Sequence, residues 1–220
     1  MKYDILVTSY NRPDYLRKTI QRILQATTSK YSLHIADGGS NIETKEAIWN
    51  MYSHNLIDGL LFAPHRGVRP TLNIGTWLTM SDPIIYADDD VLCPILTPDW
   101  LSRLTAEFQR HPELAMLALR HPGAKNKPVG KSDRVVYCKS LGAMFVAIRR
   151  RFLLENPFPH EISSGKPMEW RCQRALDTGW KIGYLRDVYC YHFGEKSALT
   201  GKDYKGKFIE PDNWGTLEVQ

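Results

Sequence analysis

The 220-residue chain predicts an α/β fold, with a mostly parallel central sheet, helices on both faces and a mixed C-terminal half. Two observations predict it. Short apolar runs alternate with segments of helical spacing through roughly the first hundred residues, the pattern of strand–helix–strand units. The apolar run Ile84-Ile85-Tyr86-Ala87 then ends in Asp88-Asp89-Asp90. That is how a buried strand delivers polar groups to the carboxyl edge of an open sheet, where ligands bind.

The elements follow in order. Tyr3–Thr8 is a strand. Asn11 then serves as N-cap and Pro13 lies in the first turn of a helix with Leu16, Ile20, Ile23 and Leu24 at helical spacing. Tyr31–Ala36 is a second strand leading into Asp37-Gly38-Gly39-Ser40. Ser40 and Glu43 form a capping box for a helix bearing Ala47, Ile48, Met51 and Tyr52. Ile57–Ala63 is a third strand, followed by a helix near Pro70–Met80. Pro83–Asp88 is the fourth strand, and Thr97-Pro98 opens a helix with Leu101, Leu104 and Phe108. In the second half, Glu113–Leu119 is a strand. His121–Asp133, rich in Gly, Pro and Lys, is a loop, and Val135–Ile148 is one long β-like run. Pro167–Thr178 is a helix closed by Gly179, with strands at Lys181–Leu185 and Val188–His192.

Composition sets bounds. With 43% hydrophobic and 24% charged residues the chain has an ordinary globular balance. A formal charge of +5 suggests an anionic partner without choosing among nucleotide phosphates, nucleic acid and anionic lipid. Cys93, Cys138, Cys172 and Cys190 form no CxxC pair and no zinc-like spacing, so reduced thiols are expected. No signal peptide fits and the apolar runs fall short of a membrane span, which predicts a soluble, cytoplasmic protein. No internal repeat occurs. A single domain is expected, with a nucleotide-binding half over 1–92, an acceptor half over 93–194 and a basic tail over 195–220.

Three adjacent carboxylates repel one another unless a cation neutralises them. A divalent metal that leaves positions for phosphate oxygens is the natural partner, and it is how a protein grips a nucleotide diphosphate.

Four segments carry a resemblance: Thr8-Ser9-Tyr10-Asn11-Arg12, Asp37-Gly38-Gly39-Ser40, His65-Arg66-Gly67-Val68-Arg69 before a helix with Asn73 and Gly75, and the acidic triplet. In this order they resemble the nucleotide-binding half of a GT-A glycosyltransferase of the inverting family 2. Gly142-Ala143-Met144-Phe145 with Arg149-Arg150, and Val188 through Gly194, are similar to that family's acceptor strand and its V-x-x-H-x-G ending.

The resemblance implies roles. Tyr10 stacks on the base beside Thr8, Asp37 accepts from the base's ring N–H and favours uracil or thymine, and Arg12, Arg66 and, more weakly, Arg69 lie on the donor side. Asp88 contacts the ribose and Asp89 stays on the nucleotide-sugar side without a fixed role. Asp90 and His192 bind Mn²⁺ or Mg²⁺. The family's Glu-Asp pair is incomplete here: Glu169 is the candidate base for inverting transfer, with Glu161 in reserve. Trp170, Trp180 and Trp214 read as a sugar platform or as core. Lys196, Lys202, Lys205 and Lys207 read as a closing tail or a solvated one.

The implied donor is a nucleotide-diphosphate sugar, with UDP-sugar favoured. The acceptor is a glycan or lipid-linked sugar, or alternatively a hydroxymethylated DNA base tracked by Arg120–Arg134 and Arg149–Arg151. A non-catalytic nucleotide or nucleic-acid binding module is a further alternative. A D-x-D phosphatase is disfavoured because that motif normally ends the first strand. A pyrophosphorylase is disfavoured because its glycine-rich loop is replaced by Ser9-Tyr10-Asn11-Arg12.

Overall fold

The computed structural model describes residues 2–64, 68–121, 128–142, 144–159 and 167–193, with the side chains of 68–70 and 167 excepted. The elements run β1 (Tyr3–Ser9), α1 (Pro13–Ala26), β2 (Tyr31–Asp37), α2 (Ile42–Ser53), β3 (Gly59–Phe62), α3 (Val68–Gly75) and a 3₁₀ turn (Thr76–Leu78), then β4 (Ile84–Asp88), β5 (Val91–Leu92) and α4 (Trp100–Arg110). The second half contributes β6 (Leu114–Arg120), β7 (Pro128–Lys131), β8 (Val135–Cys138), β9 (Val146–Ile148), α5 (Arg150–Glu155), α6 (Pro167–Asp177), β10 (Lys181–Tyr189) and β11 (Tyr191–His192).

The main sheet has nine strands in the order β3-β2-β1-β4-β9-β6-β10-β8-β7. β3, β2, β1 and β4 are parallel; β9 is antiparallel to both β4 and β6. Side chains alternate between faces at the strand period. Ile5, Val7, Ile85, Ala87, Leu117 and Leu119 point to one core, which α1, α2 and α4 cover with Leu16, Ile20, Ile48, Leu104 and Phe108. Leu6, Tyr86, Met116 and Ala118 point to the other, which α3, α5 and α6 cover with Leu72, Phe152, Met168 and Cys172. Gly75 lets α3 lie close on the sheet: a Cβ there would stand 2.9 Å from Leu6 Cδ2 and 3.1 Å from Ala36 Cβ. The four cysteines are buried and free. Among the described residues no helix is long and apolar enough to cross a membrane.

Several local expectations are corrected. Asn11 is not the N-cap of α1: Arg12 is, without a side-chain cap bond, while Asn11 takes a positive φ of 53°. The freed Asn11 side chain accepts from Asn41 N–H at 2.7 Å and its own N–H donates to Ser40 Oγ at 2.8 Å, tying two sheet-edge turns together. Ser40 and Glu43 form no capping box, because Asn41 caps α2 by accepting from Thr44 N–H at 3.0 Å. Within His121–Asp133, residues 128–131 form the exposed edge strand β7. The run Val135–Ile148 is divided: β8 pairs with β10, while β9 enters the sheet between β4 and β6. β10 runs from Lys181 to Tyr189 with its register against β6 shifting between Tyr184 and Tyr189, and the expected strand Val188–His192 is divided between β10 and β11.

Candidate active site

The carboxyl ends of β1, β2 and β4 come together because their registers pair Thr8 with Asp88 and Ser9 with Asp37. At the end of β4 the chain turns through Asp89 and Asp90 into β5, which pairs antiparallel with β11. That two-stranded ribbon sets Val91 opposite His192, and Phe193 N–H donates to Asp90 carbonyl at 2.9 Å. His192 Nε2 thereby lies 3.1 Å from Asp90 Oδ2.

Each carboxylate of the triplet has a different environment. Asp90 is 4% exposed. Burial pushes its pKa up, but the hydrogen bond and charge of His192 and the charge of Arg12 outweigh burial and hold it below the ordinary value. Asp89 accepts Tyr10 N–H at 3.2 Å and lies 3.5 Å from Arg12 Nη1; burial and the charge of Asp90 raise it to about 7. Asp88 is raised well above the usual range by burial and then by Asp90. It accepts from the Tyr86 hydroxyl, which leaves the Thr8 hydroxyl to donate to Tyr86 at 3.1 Å. Arg12 Nη1 also donates to Asp90 Oδ2, the oxygen facing His192.

Asp37 is fully buried and takes Gly39 N–H at 3.1 Å, Ser40 N–H at 2.9 Å and the Ser40 hydroxyl. A carboxylate has about four acceptor positions, and the described residues occupy three of these. Glu169 is exposed in the first turn of α6. Arg66, Glu161, Trp214, the tail lysines and the Arg69 side chain lie outside the described residues. Trp170 packs on Phe158 with ring centroids 5.4 Å apart and Trp180 on Phe152 at 6.5 Å, so both are partly buried against the core.

Two residues unmarked in the sequence matter here. Tyr86 bridges Thr8 and Asp88, and its position two residues before Asp88 on the same strand face was the available signal. Arg171, two residues beyond Glu169, is 2% exposed, its Nε has no hydrogen-bond partner among the described residues, and its guanidinium lies 3.9 Å from the Phe158 ring centroid. No sequence signal marked it.

Whether the triplet fits a divalent ion can be tested on its geometry. Asp90 Oδ2 and His192 Nε2 supply one hard oxygen and one imidazole nitrogen. Their 3.1 Å separation matches the edge of roughly 3 Å between neighbouring ligands of an octahedral ion with bonds of about 2.1 Å. A cationic group, Arg12, already sits on that oxygen. No cluster of three or more metal-ligating side chains occurs among the described residues.

A parallel half with an acidic turn after β4 and an antiparallel β9 inserted beside it is the GT-A architecture, and solved structures agree. GalNAc-T7 with UDP, GalNAc and Mn²⁺ superposes with a TM-score of 0.73 at 13% identity, over 90% of this chain and 46% of that one. S. aureus TarS (residues 1–349) with UDP-GlcNAc gives 0.70 at 16%, over 97% and 63%. The mannosyltransferase PcManGT of Pyrobaculum calidifontis with GDP-Man and Mn²⁺ gives 0.70 at 15%, over 86% and 55%. At such identities the likeness shows the fold. The family follows from sequence: the Glycosyl transferase family 2 profile matches residues 4–169, and the chain belongs to that family. Protein CgeD of Bacillus subtilis (strain 168) is 34% identical over 123 residues, which is 51% of this chain but only 27% of CgeD.

Proposed function

We propose that the chain is a metal-dependent inverting glycosyltransferase that moves a sugar from a nucleotide-diphosphate sugar, UDP-sugar foremost, to a hydroxyl of a glycan or lipid-linked sugar. The observation that carries this reading is the β5–β11 ribbon, which places His192 against Asp90 beside the strand ends that bear Thr8, Tyr10 and Asp37.

Asp90 and His192 hold Mn²⁺ or Mg²⁺, which when bound neutralises charge on the leaving diphosphate. Tyr10 stacks on the base, and Asp37 accepts from the ring N–H of uracil. Thr8 and Tyr86 fix the Asp88 carboxyl for the ribose, and Asp89 and Arg66 complete the donor side. Glu169 takes the proton of the attacking hydroxyl. The donor half extends to about residue 92, where β5 ends.

Glycan acceptors are preferred to DNA because most of the arginines singled out for phosphate tracking have partners within the chain. Arg149 lies 3.6 Å from Asp82, Arg151 is 2.7 Å from Glu155, Arg134 is 3.6 Å from Glu107, and Arg120 donates to the Tyr189 hydroxyl at 2.8 Å. The mutation Glu169→Gln tests the catalytic assignment. Transfer should fall by about a hundredfold or more, the share of a general base, while UDP binding is retained. Unchanged transfer would remove Glu169 from the mechanism. A chain that binds UDP but transfers no sugar in either form would be the non-catalytic module.

A further inference from the structure

We infer that Asn73 is a positioning residue that, through Phe158, fixes the start of α6 and hence Glu169 against the donor half of the fold. This rests on the reading of Glu169 as the base and extends it.

The joint begins in the sequence Asn156-Pro157-Phe158-Pro159. Proline has no backbone N–H, so Phe158 carries the one backbone donor of the run from Pro157 to Pro159. Phe158 is 3% exposed, and buried backbone groups need partners. Asn73 on α3 serves both of them. Phe158 N–H donates to Asn73 Oδ1 at 3.0 Å, and Asn73 Nδ2 donates to Phe158 carbonyl at 3.0 Å. One side-chain amide thus grips the segment as a neighbouring strand would. Asn73 is itself held, because α3 buries Thr71 and Leu72 and lies close on the sheet at Gly75.

The Phe158 ring carries the constraint into α6. The Arg171 guanidinium carbon lies 3.9 Å from its centroid, and the Trp170 ring centroid lies 5.4 Å away. Trp170 and Arg171 directly follow Glu169, so Phe158 holds the turn that bears the base. One turn further along, Arg174 Nε donates to Asn156 Oδ1 at 2.7 Å. Asn156 is anchored in turn, its backbone N–H and its Nδ2 each donating to Phe152 carbonyl at 3.0 Å. Met168, Cys172 and Ala175 bury α6 in the core. Apolar burial is non-directional, however, whereas hydrogen bonds and a ring stack set rotation and axial position. A general base works only within hydrogen-bond reach of the attacking hydroxyl, and a misplacement of about 1 Å costs roughly a hundredfold.

A double-mutant cycle tests the joint, read as UDP release from a panel of UDP-sugars with Mn²⁺ and with water or simple glycosides as acceptor. Well below the melting temperature, Asn73→Ala should lower kcat about tenfold or more. UDP affinity with Mn²⁺, measured by calorimetry, should stay within about twofold of wild type, since the donor contacts are intact. Phe158→Leu, which keeps both backbone bonds and loses the ring stack, should lower kcat in the same way. In the Glu169→Gln background each change should cost less than about twofold further, because the group it positions is gone. Additive losses in the cycle would overturn the inference, as would an unchanged kcat in both variants or a matching loss of UDP affinity. Glu169→Gln acting at the wild-type rate, or a wild type that releases no UDP, would instead sink the functional reading itself.

Discussion

Arg171 shows what single residues contribute to this molecule. Burial lowers its pKa to about 9 against the weaker opposing influence of Tyr86 and Cys172. A depression of that size disfavours the charged folded form by on the order of 5 kcal/mol. Stacking on Phe158 returns about 2 kcal/mol, so the charge is a net cost below pH 9. Arg171→Met, similar in length and uncharged, should therefore raise the urea midpoint at pH 7. A lower midpoint would show that the guanidinium has a stabilising role that its surroundings do not reveal. At this scale the sequence was informative where chemistry is carried by residue type and neighbours. Asp88–Asp90 stood out as residues, whereas Tyr10 and Asp37 were singled out only through the resemblance to family 2. Arg171 could not, because a lone arginine on a helix is ordinarily solvated. The positive φ of Asn11 was likewise hidden, since Asn serves as both cap and left-handed turn residue.

Among the elements, β1 owes part of its seating to Asp4. Its carboxylate accepts Met80 and Ser81 N–H at 2.6 and 2.8 Å, joining β1 to the turn before β4, and lies 3.2 Å from His34 on β2. Burial raises its pKa, but the hydrogen bonds from His34, Met80 and Ser81 prevail and lower it to about 2. Because the folded value is depressed, the stabilisation is fully present above the unfolded value of 3.8 and is lost as pH falls through about 2. Asp4 is partly screened by solvent, so the contribution is about 1 kcal/mol. Asp4→Asn should melt lower than wild type at pH 7, and the gap should close between pH 4 and pH 2. A gap that persists at pH 2 would assign the loss to packing. β1, β2 and β4 of the parallel half were legible because they are largely buried and read as apolar runs. β7 was not: Pro128–Lys131 is an exposed edge strand carrying Pro and Gly, and such edges read as loop. The division of Val135–Ile148 escaped for a different reason, since both pieces are β-forming and only the sheet order separates them.

In the whole molecule, the site is assembled by long-range pairing that periodicity cannot supply. His192 meets Asp90 only because β11 returns to pair with β5, and the Arg12 contact exists only because β1 and β4 are neighbours. Family 2 membership and the GT-A architecture supply the frame. The chemistry depends on whether Asp90 with His192 takes a metal that carries a nucleotide diphosphate. The most direct measurement is calorimetric binding of UDP, dTDP, GDP and CDP, each with Mn²⁺ and with EDTA, on wild type and Asp90→Ala. The account predicts binding of UDP or dTDP that needs Mn²⁺ and disappears in the variant. Binding of no diphosphate in the presence of Mn²⁺, or equal binding by Asp90→Ala, would contradict it.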